Sequence, residues 1–169
     1  MIVRLFAALL VLSAFTAPAR ADESKVLGVF QDWIAYKTTQ GGNAVCYIAS
    51  EPSKAEGKYT KRGKIYAMVT HRPKAGSFDV VSLHAGYTYK KGSTAEAAIG
   101  GRAFTLFTNQ SAAWAAESAD DAALVKAMRA GSKLVVKGVS SRGTKTKDTY
   151  SLLGFTAAHK AISKACKKS

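Results

Sequence analysis

The sequence predicts a mainly β fold: an antiparallel β-sandwich of about eight to ten strands, one inserted helix and a short C-terminal helix. Short segments of alternating apolar and polar residues recur along the chain, separated by Gly-, Pro- and Ser-containing turns. Two stretches only switch to a helical period. A parallel α/β sheet would need a helix after most strands, so two packed antiparallel sheets fit better.

The elements follow in order. Lys25–Tyr36 mixes Val26, Val29, Phe30 and Trp33 with Gly28, Gln31 and Asp32, and a first strand is expected around Trp33–Thr38. Gly41-Gly42-Asn43 reads as a turn into Ala44–Ser50, the strand that carries Cys46. Glu51–Gly63 turns polar and basic and is expected as a surface loop. Lys64–His71 alternates again, Arg72–Gly76 is a turn, Phe78–Gly86 a strand and Tyr87–Ser93 a loop. Thr94–Ile99 and Arg102–Phe107, joined by Gly100-Gly101, form the clearest hairpin, because glycine takes positive φ at little steric cost.

Trp114 is expected in the core. Ser118 with Asp121 suggests a capping box for a helix whose packing face is Leu124, Val125 and Met128, closed at Gly131. Leu134 and Val136 mark the next strand, and Ser140–Asp148 reads as a polar hairpin connection into Thr149–Leu153. After Gly154 the period changes: Phe155, Ala158, Ile162 and Cys166 share one helical side, with Lys160, Lys164 and Lys167 roughly opposite and Thr156 as N-cap.

Residues 1–21 read as a signal peptide: Arg4, then the apolar Leu5–Phe15, then Ala19-Arg20-Ala21 before a cleavage point between Ala21 and Asp22. That run is shorter than the roughly 20 residues a spanning helix needs, which disfavours the alternative of a retained anchor. Residues 22–169 are then one domain, with no transmembrane segment after signal cleavage. The whole chain carries a formal charge of +14. Removing the leader takes away Arg4 and Arg20 and leaves 23 basic against 11 acidic side chains, a net +12. This speaks to partners, not to fold. An anionic envelope or host-surface component is the expected partner; nucleic acid is not, since an exported chain seldom meets it. The expected location is the periplasm, the cell surface or the medium.

An exported chain with two cysteines allows one internal bridge, Cys46 with Cys166, against the alternative of two buried thiols. Metal ligation is the weakest reading, because there is no Cys-x-x-Cys and His71, His84 and His159 are scattered. Catalytic motifs are near misses. Gly57–Lys64 has the wrong glycine spacing for a phosphate loop, and Gly138–Gly143 lacks the glycine of a nucleophile elbow. His159 is expected as a packing residue, Asp120 and Asp121 as helix-start carboxylates, and Asn109-Gln110-Ser111 as a chance sequon. What remains is positive surface. Arg142, Lys145 and Lys147 fall in one expected connection, Lys61 and Arg62 in another, and these five are the candidate anion-binding residues. The alternative is that they merely solubilise loops.

The chain also resembles the invasion-associated locus B family of exported bacterial proteins. The likeness is carried by Asp32-Trp33, Cys46-Tyr47, Ser50-x-Pro52, Lys61-Arg62-Gly63, Val69–Pro73 and Val81-Ser82. Further on it continues with Gly86-Tyr87, Ala113-Trp114, Gly138–Asp148, Tyr150-Ser151-Leu152, Gly154-Phe155 and Ala165-Cys166. The resemblance implies a periplasmic or envelope-exposed, mainly β domain without a known catalytic site, and no cofactor is expected. Many members carry a cysteine shortly after the tryptophan where this chain has Tyr36, so no second disulfide is expected. The functional expectation is a non-enzymatic basic envelope protein or binding module. The alternative is an envelope hydrolase with an unrecognised active site.

Overall fold

The computed structural model describes residues 24–168, so the expected cleavage point at Ala21 and Asp22 lies outside the described residues. The strands are β1 (Lys25–Phe30), β2 (Trp33–Gln40), β3 (Asn43–Ser50), β4 (Lys54–Gly57), β5 (Tyr66–Arg72) and β6 (Ser77–His84). They continue with β7 (Thr94–Ile99), β8 (Arg102–Asn109), β9 (Ala112–Trp114), β10 (Lys133–Val139) and β11 (Lys145–Ser151). Helix α1 (Ser118–Ala130) is inserted between β9 and β10, and α2 (Phe155–Ala165) ends the fold. The mainly β class with one inserted and one C-terminal helix is as expected. All eleven strands join in one antiparallel ladder, in the order β1-β2-β3-β5-β6-β9-β8-β7-β10-β11-β4.

This long sheet curls back on itself. At one end, Trp33 of β2 donates its indole N–H to the carbonyl of Ser151 on β11, 3.0 Å away, and the Asp32 amide reaches the carbonyl of Leu153. Inward residues of both halves therefore share one apolar core, including Trp33, Ile48, Val69, Leu83, Leu106, Leu134 and Tyr150. Helix α1 adds Leu124 and Met128, and α2 adds Phe155 and Ile162. Phe155 meets Trp33 edge to face at 5.0 Å, an arrangement that suits the aromatic quadrupole. Among the described residues no helix is long and apolar enough to cross a membrane.

Cys46 and Cys166 are bonded, with Cα atoms 6.0 Å apart across 120 positions of sequence. The bridge pins α2 to β3. Gly100 and Gly101 both take positive φ, 54° and 82°, and close the β7–β8 hairpin with Ile99 opposite Arg102. Gly154 matters for a different reason: a Cβ there would collide with the carbonyl oxygen of Phe30.

Several local expectations need correction. The β10–β11 connection is shorter than Ser140–Asp148, since Val139 already pairs with Lys145. Thr146 and Asp148 point inward although they are polar, so β11 lacks an apolar alternation. Polar Lys54–Gly57, expected as loop, is a strand on the far edge of β11. Trp114 is only half-buried and stacks on exposed Phe107 at 5.7 Å. The capping box at α1 does not form. Glu117 is the N-cap, without a side-chain bond, and Asp121 instead accepts the Val81 amide at 2.9 Å. The cause lies in the sheet: β9 pairs β6 only from Ser82 onward, leaving the Val81 N–H to another acceptor. Likewise Gly154, not Thr156, caps α2.

A basic cleft as candidate ligand site

Three connections meet at one concavity: Lys58–Gly63 between β4 and β5, Gly86–Thr88 after β6, and the β10–β11 turn from Ser140 to Thr144. Its volume is about 500 Å³, within the usual range for small-ligand sites. The walls are tied by main-chain hydrogen bonds. The Gly63 amide donates to Gly86 O at 2.8 Å, Ser141 to Thr88 O at 2.7 Å and Lys90 to Val139 O at 2.9 Å. Gly86 has φ 70°, and a Cβ there would lie 2.5 Å from the Gly63 carbonyl oxygen, so the close crossing requires glycine. The walls of the cleft are thus held by the fold itself.

Arg62 forms its floor. The side chains of Arg62 and Asp148 are only 3% and 4% exposed. The guanidinium holds Asp148 with two hydrogen bonds, Nη1–Oδ1 at 2.7 Å and Nη2–Oδ2 at 2.5 Å, while Nε donates to Ala85 O at 2.6 Å. Burial alone would lower its pKa, but the Asp148 carboxylate outweighs that and holds it above the ordinary value. The rings of Tyr59 and Tyr87 lie 5.2 and 5.0 Å from its central carbon. Tyr87 also shares a 2.6 Å hydrogen bond with Thr146, and burial raises its pKa.

Of the five residues expected to bind anions, the structure gathers three here and separates two. Lys61 and Arg142 are exposed at the cleft, joined by Lys58, which belongs to the basic stretch Glu51–Gly63 but not to the five candidates. Among the described residues these three have no carboxylate within salt-bridge distance. Arg62 needs correction: its charge is committed to Asp148 and unavailable to an outside anion. Lys145 and Lys147 leave the expected connection and lie on β11, beside Glu56, Glu96 and Lys137. Lys147 is 3.6 Å from Glu56, and Lys137 is 2.8 Å from Glu96, so that surface is mixed in sign. Among the described residues no acidic one lines the cleft.

A second polar cluster was hidden in the sequence. His71 and His159, read as scattered, converge on Asp79 beneath α2. His159 Nε2 lies 2.7 Å from Asp79 Oδ1, and Lys168 pairs with Oδ2. Burial would raise the Asp79 pKa, but the bonds from His159 and Lys168 prevail and lower it to about 2. Burial lowers the pKa of His71 to about 4. The Asp79 amide donates to His71 Nδ1 at 3.1 Å, so the neutral ring carries its proton on Nε2, which donates to Ser163 Oγ at 3.2 Å. A serine nucleophile needs the reverse, a histidine nitrogen that accepts the hydroxyl proton. His71 is also fully buried. The donor atoms of His71, Asp79 and His159 lie within 4.8 Å of one another, a spacing a metal could use. Each is already engaged, however, and Lys168 supplies the cation. The cluster holds α2 down beside the disulfide.

Among curated proteins and among solved structures no match was found. The family model of the invasion associated locus B protein does match, over residues 33–163, a span that takes in the disulfide strand, every wall of the cleft and nearly all of α2. The chain belongs to the invasion associated locus B protein family.

Proposed function

We infer that this is an exported envelope protein that binds rather than catalyses, and that it takes an anionic ligand in the cleft. The observation that carries the reading is the gathering of Lys58, Lys61 and Arg142 around one concavity which, among the described residues, offers them no carboxylate. Family membership and the buried disulfide support a place in the envelope or beyond it, since such bonds persist in oxidising compartments. That place is the periplasm, the cell surface or the medium. An envelope hydrolase is the weaker reading: Ser163 is half-buried, the histidine beside it is fully buried, and the His71 proton is on the wrong nitrogen for it.

The test is binding of the mature chain to dextran sulfate and to phosphatidylglycerol vesicles, at low and high salt. A triple change, Lys58→Ala with Lys61→Ala and Arg142→Ala, is expected to weaken whichever binding occurs by at least about tenfold, and salt to do the same by screening. Binding that ignores both would overturn the reading.

A further inference from the structure

We propose that the ligand of the cleft is an acidic saccharide, a short stretch of glycan bearing carboxylate or sulfate groups, stacked on Tyr59. The proposal rests on the anion-binding reading and adds a ligand class to it.

The first ground is the layered floor. Arg62 is stacked against both Tyr59 and Tyr87, and Asp148 has already neutralised it. Tyr59 keeps 38% of its surface exposed, and its hydroxyl is directed to the Ala55 carbonyl at 3.3 Å. The result is an exposed aromatic plate with no net charge beneath it. Such a plate offers little to a bare phosphate but suits the apolar C–H face of a sugar ring.

The second ground is the supply of acceptors. Thr60, Thr88 and Ser141 line the cleft and are exposed, and each hydroxyl can both donate and accept. A sulfate or a phosphate diester carries acceptors only, so it uses just the donor side of these hydroxyls and leaves their acceptor side unmatched. A ligand with hydroxyl donors of its own needs acceptors opposite them, and sugars carry one on nearly every carbon.

The third ground is the placing of charge. Lys58 and Lys61 come from one connection and Arg142 from another, across a cavity of about 500 Å³. Cations on two walls suit a chain with charges along its length better than a single anionic point. The hydrogen bonds between the loops keep those walls in place, which limits the ordering a flexible oligosaccharide must impose on the protein.

The experiment titrates the mature chain by calorimetry with a heparin hexasaccharide, an oligogalacturonate hexamer, maltohexaose, inorganic phosphate and phosphatidylglycerol vesicles. Both acidic hexasaccharides are expected to bind, and maltohexaose and phosphate at least about tenfold more weakly, as loss of charge pairing or of stacking requires. Tyr59→Ala is expected to weaken the acidic saccharides by about fivefold, while Tyr59→Phe stays within about twofold, since the ring and not the hydroxyl makes the stack. The proposal is overturned if vesicles or phosphate bind through Lys58, Lys61 and Arg142 while the acidic saccharides do not. That outcome leaves the anion-binding reading standing. It is equally overturned if Tyr59→Ala leaves the saccharide affinities unchanged. If no probe responds to the Lys58, Lys61 and Arg142 changes, the anion-binding reading itself fails.

Discussion

Beneath α2, the charges of Asp79 and Lys168 and the rings of His71 and His159 are partnered and largely shut away from water. Around the cleft, Lys58, Lys61 and Arg142 face water without a carboxylate to meet them. Both regions hold ionisable groups from distant parts of the chain, yet in one they are paired within the protein and in the other they are not. The difference lies in satisfaction. A buried polar group left without a partner costs free energy, so the interior cluster had to be completed from within. Exposed lysines have no such requirement and can wait for a ligand.

Breaking the attachment of α2 should have the largest effect. Replacing Cys46 and Cys166 by serine opens a loop of 120 positions, for which the chain-entropy model gives about 4–5 kcal/mol of lost stability. Urea denaturation of the variant measures it, and a change under about 1 kcal/mol would mean that the side-chain cluster alone secures α2. Next comes the floor of the cleft. Arg62→Met strands the Asp148 carboxylate in the interior and is expected to cost about 3–5 kcal/mol. Adding Asp148→Leu should recover most of that loss, because no charge is then left unpaired.

The pH response separates the two regions further. Folding holds His71 at about 4, against 6.5 for an ordinary histidine. Between these values the unfolded chain takes up a proton that the folded chain refuses. The His71 contribution is therefore complete above pH 6.5 and is lost as pH falls toward 4. Asp79, lowered from 3.8 to about 2, continues the loss further into acid. An NMR titration that found His71 changing charge near its ordinary value would undo the account of a sealed cluster. Binding of a sulfated probe should stay level from pH 7 to about 5, since among the described residues no histidine, aspartate or glutamate lines the cleft and sulfate keeps its charge. The smallest stability effects belong to the rim. Lys61→Ala and Arg142→Ala should each shift stability by less than about 0.5 kcal/mol while weakening polyanion binding.

Neighbouring residues show where reading the chain by itself ran out. Lys61 and Arg62 are adjacent and equally basic on paper, yet one is exposed at the rim and the other is locked to Asp148, 86 positions away. No local pattern encodes that partner. The first half of β11, Lys145–Asp148, was read as connection and only Thr149 onward as strand, because its inward Thr146 and Asp148 give none of the apolar alternation by which strands are recognised. The Gly100-Gly101 hairpin was legible because its turn needs only two residues with positive φ. His71 and His159 are 88 positions apart in sequence, and only the curl of the sheet with the return of α2 brings their rings to 5.4 Å.

The amino-acid sequence alone determined the β class, the two helices, the pairing of its only two cysteines and an excess of positive charge. These follow from local periodicity, turn chemistry and counting, each a property of neighbouring residues or of composition. Tertiary structure alone decided which cations are spent and which are free, and that three separate connections enclose one cleft. Those outcomes depend on distances between residues far apart in the chain, which exist only once the sheet has closed over its core.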